Sequence, residues 1–314
     1  MIFFIVKRLA AMVLVLFAVS VLVFTIFNVI PGDDPAVRMA GKNPTDVQIE
    51  AIRKEWDFDK PLTTQYVTTM KKVLSGDLIS YSTRENVVDR IVEGVPRTAA
   101  LAAGAAILML LGGVVLGVFS ALRPNSAADR GINGLAVVGI SLPVMWLGGV
   151  VSYYGSELGL IPNGGYVEIS EGGFGQWLWH LIAPWTVLSI LFIGIYSRVL
   201  RGDMVETLRS DHVRTARAKG LSERRVISRH GLRLALIPTL TLWGLDVGLL
   251  LGGGAVITES VFNLDGVGAY FADSVGTLDV PPVLAITLFG ATVIVVLNAV
   301  IDILYAFLDP RIRR

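Results

Sequence analysis

Six apolar runs, each long enough to cross a bilayer as a helix, punctuate the chain near Leu9–Ile30, Thr98–Leu122, Gly131–Ser156, Leu181–Val199, Leu236–Ile257 and Val283–Phe307. About 20 apolar residues suffice for one crossing at helical rise, so the pattern predicts an all-α integral membrane protein with six transmembrane helices. The first run follows Lys7 and Arg8, as a secretory signal would. Its apolar core outlasts the roughly 7–15 residues of a signal peptide and no small-residue cleavage site follows, which makes it an anchored helix.

The polar positions between the runs set the orientation. Lys7 and Arg8 precede the first span, Arg123 and Arg130 flank the loop after the second, and a long basic stretch follows the fourth. Arg311, Arg313 and Arg314 close the chain. The loops at Glu157–His180 and Thr258–Pro282 hold no lysine or arginine, only Glu157, Glu168, Glu171, Glu259, Asp265, Asp273 and Asp279. Basic loops stay in the cytoplasm, so both termini are expected there. The segment Pro31–Arg97 carries both signs of charge and is expected outside; at about 65 residues it is too long for its charges to govern insertion. Within it, Pro44-Thr45-Asp46 starts a helix through Trp56, with Ile49, Ile52 and Trp56 on one apolar face, and Leu62–Leu74 is a second helix ending at Ser75-Gly76. Neither can build a core alone, so both are expected to pack on membrane helices or on a neighbouring subunit.

Between spans four and five, Arg198 to Arg233 is the most basic part of the chain. Its centre predicts two short helices joined at Gly220, with Ser210 or Asp211 capping the first and Arg217 and Lys219 suiting its C-terminal dipole. Gly220 fits the left-handed position after that helix, Ser222 the next cap, and Glu223 the next first turn. Such a basic hairpin between two spans is a docking surface for a cytoplasmic partner. In span five, Gly244, Gly248 and Gly252 put small residues on one face, which lets helices approach closely in lipid. Asp246 sits about 200° round the helix from Gly244. A carboxylate at mid-span costs about 2.5–3.5 kcal/mol on insertion scales, so it faces protein or a wet cavity. A structural hydrogen bond and a place in a translocation path both fit Asp246, and Asn298 and Asp302 carry weaker forms of the same choice.

Composition narrows the chemistry. The 314 residues are 53% hydrophobic and only 17% charged, which excludes an ordinary soluble domain. The chain has no cysteine, so disulfides and thiolate metal sites are excluded, and His180, His212 and His230 match no metal-ligand spacing. No G-x-x-x-x-G-K-[ST] run offers a P-loop; Gly41–Lys42 lacks the earlier glycine. No nucleophile elbow or catalytic triad is present, and Gly252–Gly254 reads as a packing or hinge element in an apolar span. The basic stretch lacks interleaved aromatics and is tethered at both ends, which argues against nucleic acid.

Several motifs together resemble the B-type membrane subunit of dipeptide and oligopeptide ABC importers, in the binding-protein-dependent permease family. They are Ile30-Pro31-Gly32-Asp33, Lys60-Pro61-Leu62, Gly76-Asp77-Leu78, Ser141-Leu142-Pro143 with Trp146-Leu147-Gly148, Leu160-Ile161-Pro162 with Gly164-Gly165-Tyr166, Glu259-Ser260-Val261-Phe262 with Gly266-Val267-Gly268, and Leu308-Asp309-Pro310-Arg311. The central stretch looks like the family's coupling motif, with Arg214-Thr215-Ala216 as its triplet and Gly220 as its glycine. Asp265 departs from the pattern, which has proline before the glycine, and Asp246 stands where a neutral polar residue is common. The resemblance implies a type I ABC importer permease fold in a prokaryotic cell membrane. It implies residues 1–93 as a first helix plus extracytoplasmic segment, 94–307 as the transport core and 308–314 as a cytoplasmic tail. It also implies a half-pore that pairs with a homologous permease subunit, receives peptide from an extracytoplasmic binding protein and is driven by two cytoplasmic ATPases. ATP and Mg would belong to those ATPases, with no cofactor held by this chain. Arg214, Thr215, Ala216, Arg217, Gly220, Leu221, Ser222, Glu223, Arg224 and Arg225 would form the ATPase-coupling surface, with Ala216 and Gly220 permitting close backbone approach. Asp246 and Asn298 are the translocation-path candidates. The alternatives are the same architecture importing a nickel chelate, glutathione or an oligosaccharide, or a secondary transporter, which would show inverted repeats that this chain lacks.

Overall fold

The computed structural model describes residues 2–28, 36–37 and 45–308. Pro31–Asp33, Gly41–Lys42 and everything from Asp309 onward lie outside the described residues, as do the side chains of Lys7, Arg8 and Asp302. Among the described residues the protein is helical, with one isolated bridge between Ile79 and Asn86. The helices are α1 (Ile2–Asn28), α2 (Asp46–Glu55), α3 (Leu62–Ser75), α4 (Val87–Leu122), α5 (Ala127–Ser141), α6 (Val144–Glu157), α7 (Ile169–Arg209) and α8 (Asp211–Ala218). They continue as α9 (Glu223–Gly254), α10 (Val256–Phe262), α11 (Val267–Gly276) and α12 (Val280–Leu308).

The scaffold is the contact between α4 and α7. Gly104 lies under the Trp185 ring, Gly113 against Tyr196 and Gly117 against Leu200, so a methyl group at any of the three would collide with the facing helix. Polar side chains cross the same seam to spare acceptors: the Trp185 indole donates to the Ala100 carbonyl at 3.0 Å and the Ser189 hydroxyl to Ala105 at 3.2 Å. From α9, Trp243 donates to Ala106 at 2.8 Å. Lipid offers no apolar drive for helices to associate, so close backbone approach and hydrogen bonds of this kind hold the bundle. Around the seam, Leu101, Met109, Leu181 and Tyr196 are fully buried. The Gly252 end of the span-five stripe packs on Gly290 and Ile294 of α12, and Gly248 on Leu297, which gives the stripe its partner.

Two expectations need correction. The run Gly131–Ser156 is not one straight helix: α5 and α6 meet at 95°. Pro143 removes a backbone donor and holds Leu142 extended (φ −80°, ψ 124°), which ends α5 and starts α6 on a new axis. Span four is likewise only the middle of α7, whose 41 residues run on through Arg198 and Arg201 to Arg209, with one break at Gly173 (φ 72°). The described helices that suit a crossing by length and composition are thus α4, α7, α9, α12 and the bent α5–α6 pair, with α1 apolar over Ala10–Ile26.

The N-terminal polar segment forms the expected helices. Thr45 caps α2 in a reciprocal box with Gln48, and α3 closes on Gly76 in the left-handed region at φ 81°. Ile49, Ile52 and Trp56 are half-buried while the rest of α2 is largely exposed. Of the two, α3 leans on the bundle, while Trp56 at the end of α2 packs edge-on against Tyr81. Tyr66 of α3 packs edge-on against Phe24 of α1 and shares a 2.6 Å hydrogen bond with Ser20. Met70 and Val73 pack beside Val283 and Leu284.

One carboxylate anchors this segment to the core. Asp279, buried just before α12, accepts the Ser80 hydroxyl at 2.6 Å and the backbone N–H groups of Tyr81 and Ser82 at 3.0 and 3.2 Å. Asp279→Ala leaves those donors buried without an acceptor and is expected to cost about 2–4 kcal/mol. A lower melting temperature of the detergent-solubilised protein, with faster proteolysis between residues 45 and 86, is the measurement that checks it.

Candidate functional site

The hairpin after α7 is a small folded unit. Ser210 breaks the helix in extended conformation (ψ 157°), α8 follows, and Gly220 turns the chain at φ 75° as expected of it. Caps differ from expectation. The Ser210 hydroxyl donates back to the Thr207 carbonyl at 2.5 Å and caps nothing, and neither it nor Ser222 accepts a backbone N–H of the helix it precedes. The second arm is not a separate short helix either. Glu223–Arg225 runs through a π-helical stretch, Val226–Leu232, straight into the body of α9.

Val213, Ala216 and Val226 are buried between the two arms, beside Leu208 and Leu221. Ala216 therefore faces inward, and its small side chain serves the hairpin's own packing rather than contact with a partner. Arg217 spans the turn: its guanidinium donates to both oxygens of Glu223, at 2.6 and 3.1 Å, and to the Leu208 carbonyl at 3.3 Å. That guanidinium holds the Glu223 carboxyl below its ordinary range. Arg214 reaches Asp211 at 3.3 Å in a fully exposed pair of little energetic worth. Lys219, Arg224 and Arg225 are exposed and make no ion pair among the described residues. The hairpin thus presents Thr215, Gly220 and four free or loosely held cations on a turn that Arg217 and Glu223 stiffen.

Sequence reasoning passed over the residue that fixes this unit to the bundle. Asp129, in the first turn of α5, is buried and takes Arg201 of α7 in a two-pronged pair, Nε at 2.6 Å and Nη2 at 2.7 Å. It also accepts from the Ser120 hydroxyl, the Asn125 N–H at 2.7 Å and the Asn133 amide at 2.8 Å. The forked guanidinium and the serine hydroxyl both favour the carboxylate form of this side chain. The signal available in the sequence was a lone acid between Arg123 and Arg130, too slight to single out.

The two translocation-path candidates sit deeper and apart from each other's contacts. Asp246 accepts the hydroxyl of fully buried Tyr196 at 2.7 Å, which ties α9 to α7 on the side away from the glycine stripe. Asn298 is half-buried on α12, near Gly248. Neither lines a mostly apolar cavity of about 400 Å³, which opens where α9 breaks at Leu250–Gly254 with Gly253 at φ 120°. Thr98, Leu251, Gly252, Phe271, Ile286 and Ile294 are among its walls.

The motifs separated in sequence meet beyond that break. Gly165 donates to the Phe262 carbonyl at 2.9 Å, and His180 meets the Gly165 carbonyl at 3.0 Å. Glu259, fully buried, accepts the Ala269 N–H at 3.0 Å at the start of α11. Thr98 accepts the Val267 N–H at 2.9 Å alongside. Asp265 adopts φ 50°, a conformation closed to proline, so the turn before Gly266 is built differently from the family pattern.

These helices, the paired motifs and the hairpin define a membrane transport component rather than an enzyme. The chain belongs to the family described as the binding-protein-dependent transport system inner membrane component, whose profile matches residues 113–314, with its N-terminal companion matching residues 1–102. It is therefore an inner-membrane protein of a transport system that works with a binding protein. It is 36% identical to the di/tripeptide transport system permease protein DppB of Pseudomonas aeruginosa, over 100% of this chain and 99% of that one. It is 37% identical to the probable D,D-dipeptide transport system permease protein DdpB of Escherichia coli, over 98% and 96%. It is 33% identical to the oligopeptide transport system permease protein AppB of Bacillus subtilis, over 98% of both chains.

The Tyr196–Asp246 bond makes a graded prediction. Asp246→Asn keeps an acceptor for the tyrosine and is expected to melt within about 1 kcal/mol of the parent in detergent, whereas Asp246→Leu strands the buried hydroxyl and loses about 1–2 kcal/mol. Melting of the two variants beside Tyr196→Phe checks it, since Asp246→Leu in the Tyr196→Phe background should cost less than it does alone.

Proposed function

We propose that this chain is one half of a membrane pore that imports short peptides. A binding protein outside the membrane delivers the peptide, a homologous permease subunit supplies the other half, and two cytoplasmic ATPases drive the cycle by gripping the hairpin around Gly220. The observation that carries this reading is the hairpin: a stiffened basic turn that follows the long helix α7, with Lys219, Arg224 and Arg225 exposed and without an ion pair among the described residues. Charge-assisted hydrogen bonds from these cations and Arg214 to acidic groups in an ATPase groove would hold it. Gly220 has open space around it, so a partner's backbone can come close at the turn. Peptide as the solute is supported by relatives named for di-, tri- and oligopeptides that align along nearly their whole length. The orientation, with hairpin and both termini in the cytoplasm, is supported by the placing of basic residues.

ATP-driven closure would push the hairpin laterally and rock α7 and α9, opening the pore to one side and then the other. The break at Gly253, beside the 400 Å³ cavity, is where α9 can bend in that motion.

The test is uptake of labelled trialanine and pentaalanine into vesicles holding the co-purified complex, with and without ATP. ATP-dependent uptake is expected; accumulation driven by an ion gradient without ATP would make the protein a secondary transporter. Uptake of a nickel chelate, glutathione or an oligosaccharide instead would reassign the solute. Gly220→Ala and Gly220→Glu separate strain from docking. A methyl group meets no atom at this position but must adopt the left-handed conformation, at about 1–2 kcal/mol within the hairpin. Gly220→Ala is expected to retain most transport, while Gly220→Glu inserts normally and transports at least about 10-fold less because a bulky anion blocks the partner. Equal uptake by the two variants would remove the hairpin from the mechanism.

A further inference from the structure

We infer that Asp129 and Arg201 are the positioning pair through which hairpin motion enters the pore, locking α7 to the elbow between α4 and α5 so that the three helices move as one body. The inference rests on the hairpin being the driven element, as proposed above.

Arg201 stands on the part of α7 between the fourth apolar run and the hairpin, on a helix without a break from there to Arg209. Its carboxylate partner gathers donors from every neighbouring piece of chain: Ser120 near the end of α4, Asn125 in the elbow, Asn133 in α5 and the guanidinium from α7. The Asp129 side chain is 3% exposed and Arg201 27%, so water competes little for either.

Gly117 against Leu200 and Gly194 against the Ala136 backbone already bring these helices together. Smooth contacts of that kind hold helices close but leave them free to slide or turn. A planar guanidinium forked onto a carboxylate fixes distance and orientation together. A buried ion pair is a poor choice for stability alone, since apolar residues of equal volume often serve as well. What this one supplies is register.

Past Gly220 the chain runs through the π-helical stretch Val226–Leu232 and later breaks at Leu250–Gly254. Among the described residues no ion pair ties α9 to another membrane helix. The outgoing leg is forked to the elbow at Arg201. Among the described residues the return leg reaches Trp243 and Asp246 before a side-chain hydrogen bond ties it to α4 or α7, so a push on the turn is passed on first through α7.

The experiment measures ATP hydrolysed and trialanine taken up by the reconstituted complex for the parent, Asp129→Asn, Arg201→Gln, the double variant and Arg201→Lys. The neutral variants are expected to hydrolyse ATP within about 2-fold of the parent while uptake falls about 10-fold, so that the ATP spent per peptide rises about 5-fold or more. The double variant should be no worse than the poorer single, because both remove one shared interaction. Arg201→Lys, which keeps the charge but not the fork, should recover part of the uptake. An unchanged ratio of ATP to peptide, or losses that add in the double variant, would overturn the inference. If the neutral variants do not assemble, Arg201→Lys and Asn133→Ala carry the test: a raised ratio supports the pair as a transmission element, and an unchanged one reduces it to a structural role. The parent separates the two levels, because absence of ATP-driven uptake there refutes the functional proposal itself and this inference with it.

Discussion

Inside a bilayer every backbone amide must find its partner within the protein, and here that constraint leaves helices with very little to hold them together except closeness. The α4–α7 seam is where closeness is achieved. Glycines on α4 admit Trp185, Tyr196 and Leu200 from α7, and tryptophan and serine side chains reach across to carbonyl oxygens of α4. Everything else is assembled on that pair. The bent α5–α6 hairpin lies on α7 through Gly139 and Gly194, α9 reaches α4 through Trp243 and α7 through Asp246, and α11 reaches α4 through Val267 and Thr98.

The two ends of the bundle are finished in different ways. On the side of the acidic loops, buried carboxylates meet backbone donors: Asp279 at the Tyr81–Ser82 turn and Glu259 at the first turn of α11. Burial pushes the Glu259 carboxyl upward from its ordinary range, with the Thr98 hydroxyl and the α11 amides opposing that push. These contacts join loop to loop and suit a surface that must keep its shape. On the basic side, the buried carboxylate of Asp129 meets a side-chain cation, the guanidinium of Arg201, near the end of α7. Backbone donors thus satisfy the buried carboxylates at one end of the molecule, and a guanidinium does so at the other.

Much of this was legible in local chemistry. Thr45 with Gln48, Gly76 after α3 and Gly220 after α8 are short-range signals, and each marks the boundary it should. The glycine stripe of span five and the Gly252–Gly254 hinge were visible for the same reason, since spacing along one helix is a local property. The α5–α6 bend was present in Leu142-Pro143 but was overridden by counting apolar residues, which measures length and is blind to direction. Hairpin charges were found, yet not their division: nothing local says that Arg217 turns to Glu223 while Arg224 stays free. Asp129 was beyond reach because its meaning lies 72 positions away, at Arg201. Asp265 shows the reverse case, a departure noticed in the sequence whose cause is a positive φ.

The reach of α7 has one more implication. Its last ten residues, Leu200 to Arg209, add about 15 Å beyond the fourth apolar run, whereas the polar headgroup zone on each face of a bilayer is only about 5–8 Å deep. With the fourth apolar run filling the hydrocarbon layer, Arg201 would stand at headgroup depth and Arg209 beyond it. An ATPase gripping the turn, as proposed above, would then work outside the headgroup layer, on an arm that already stands proud of it.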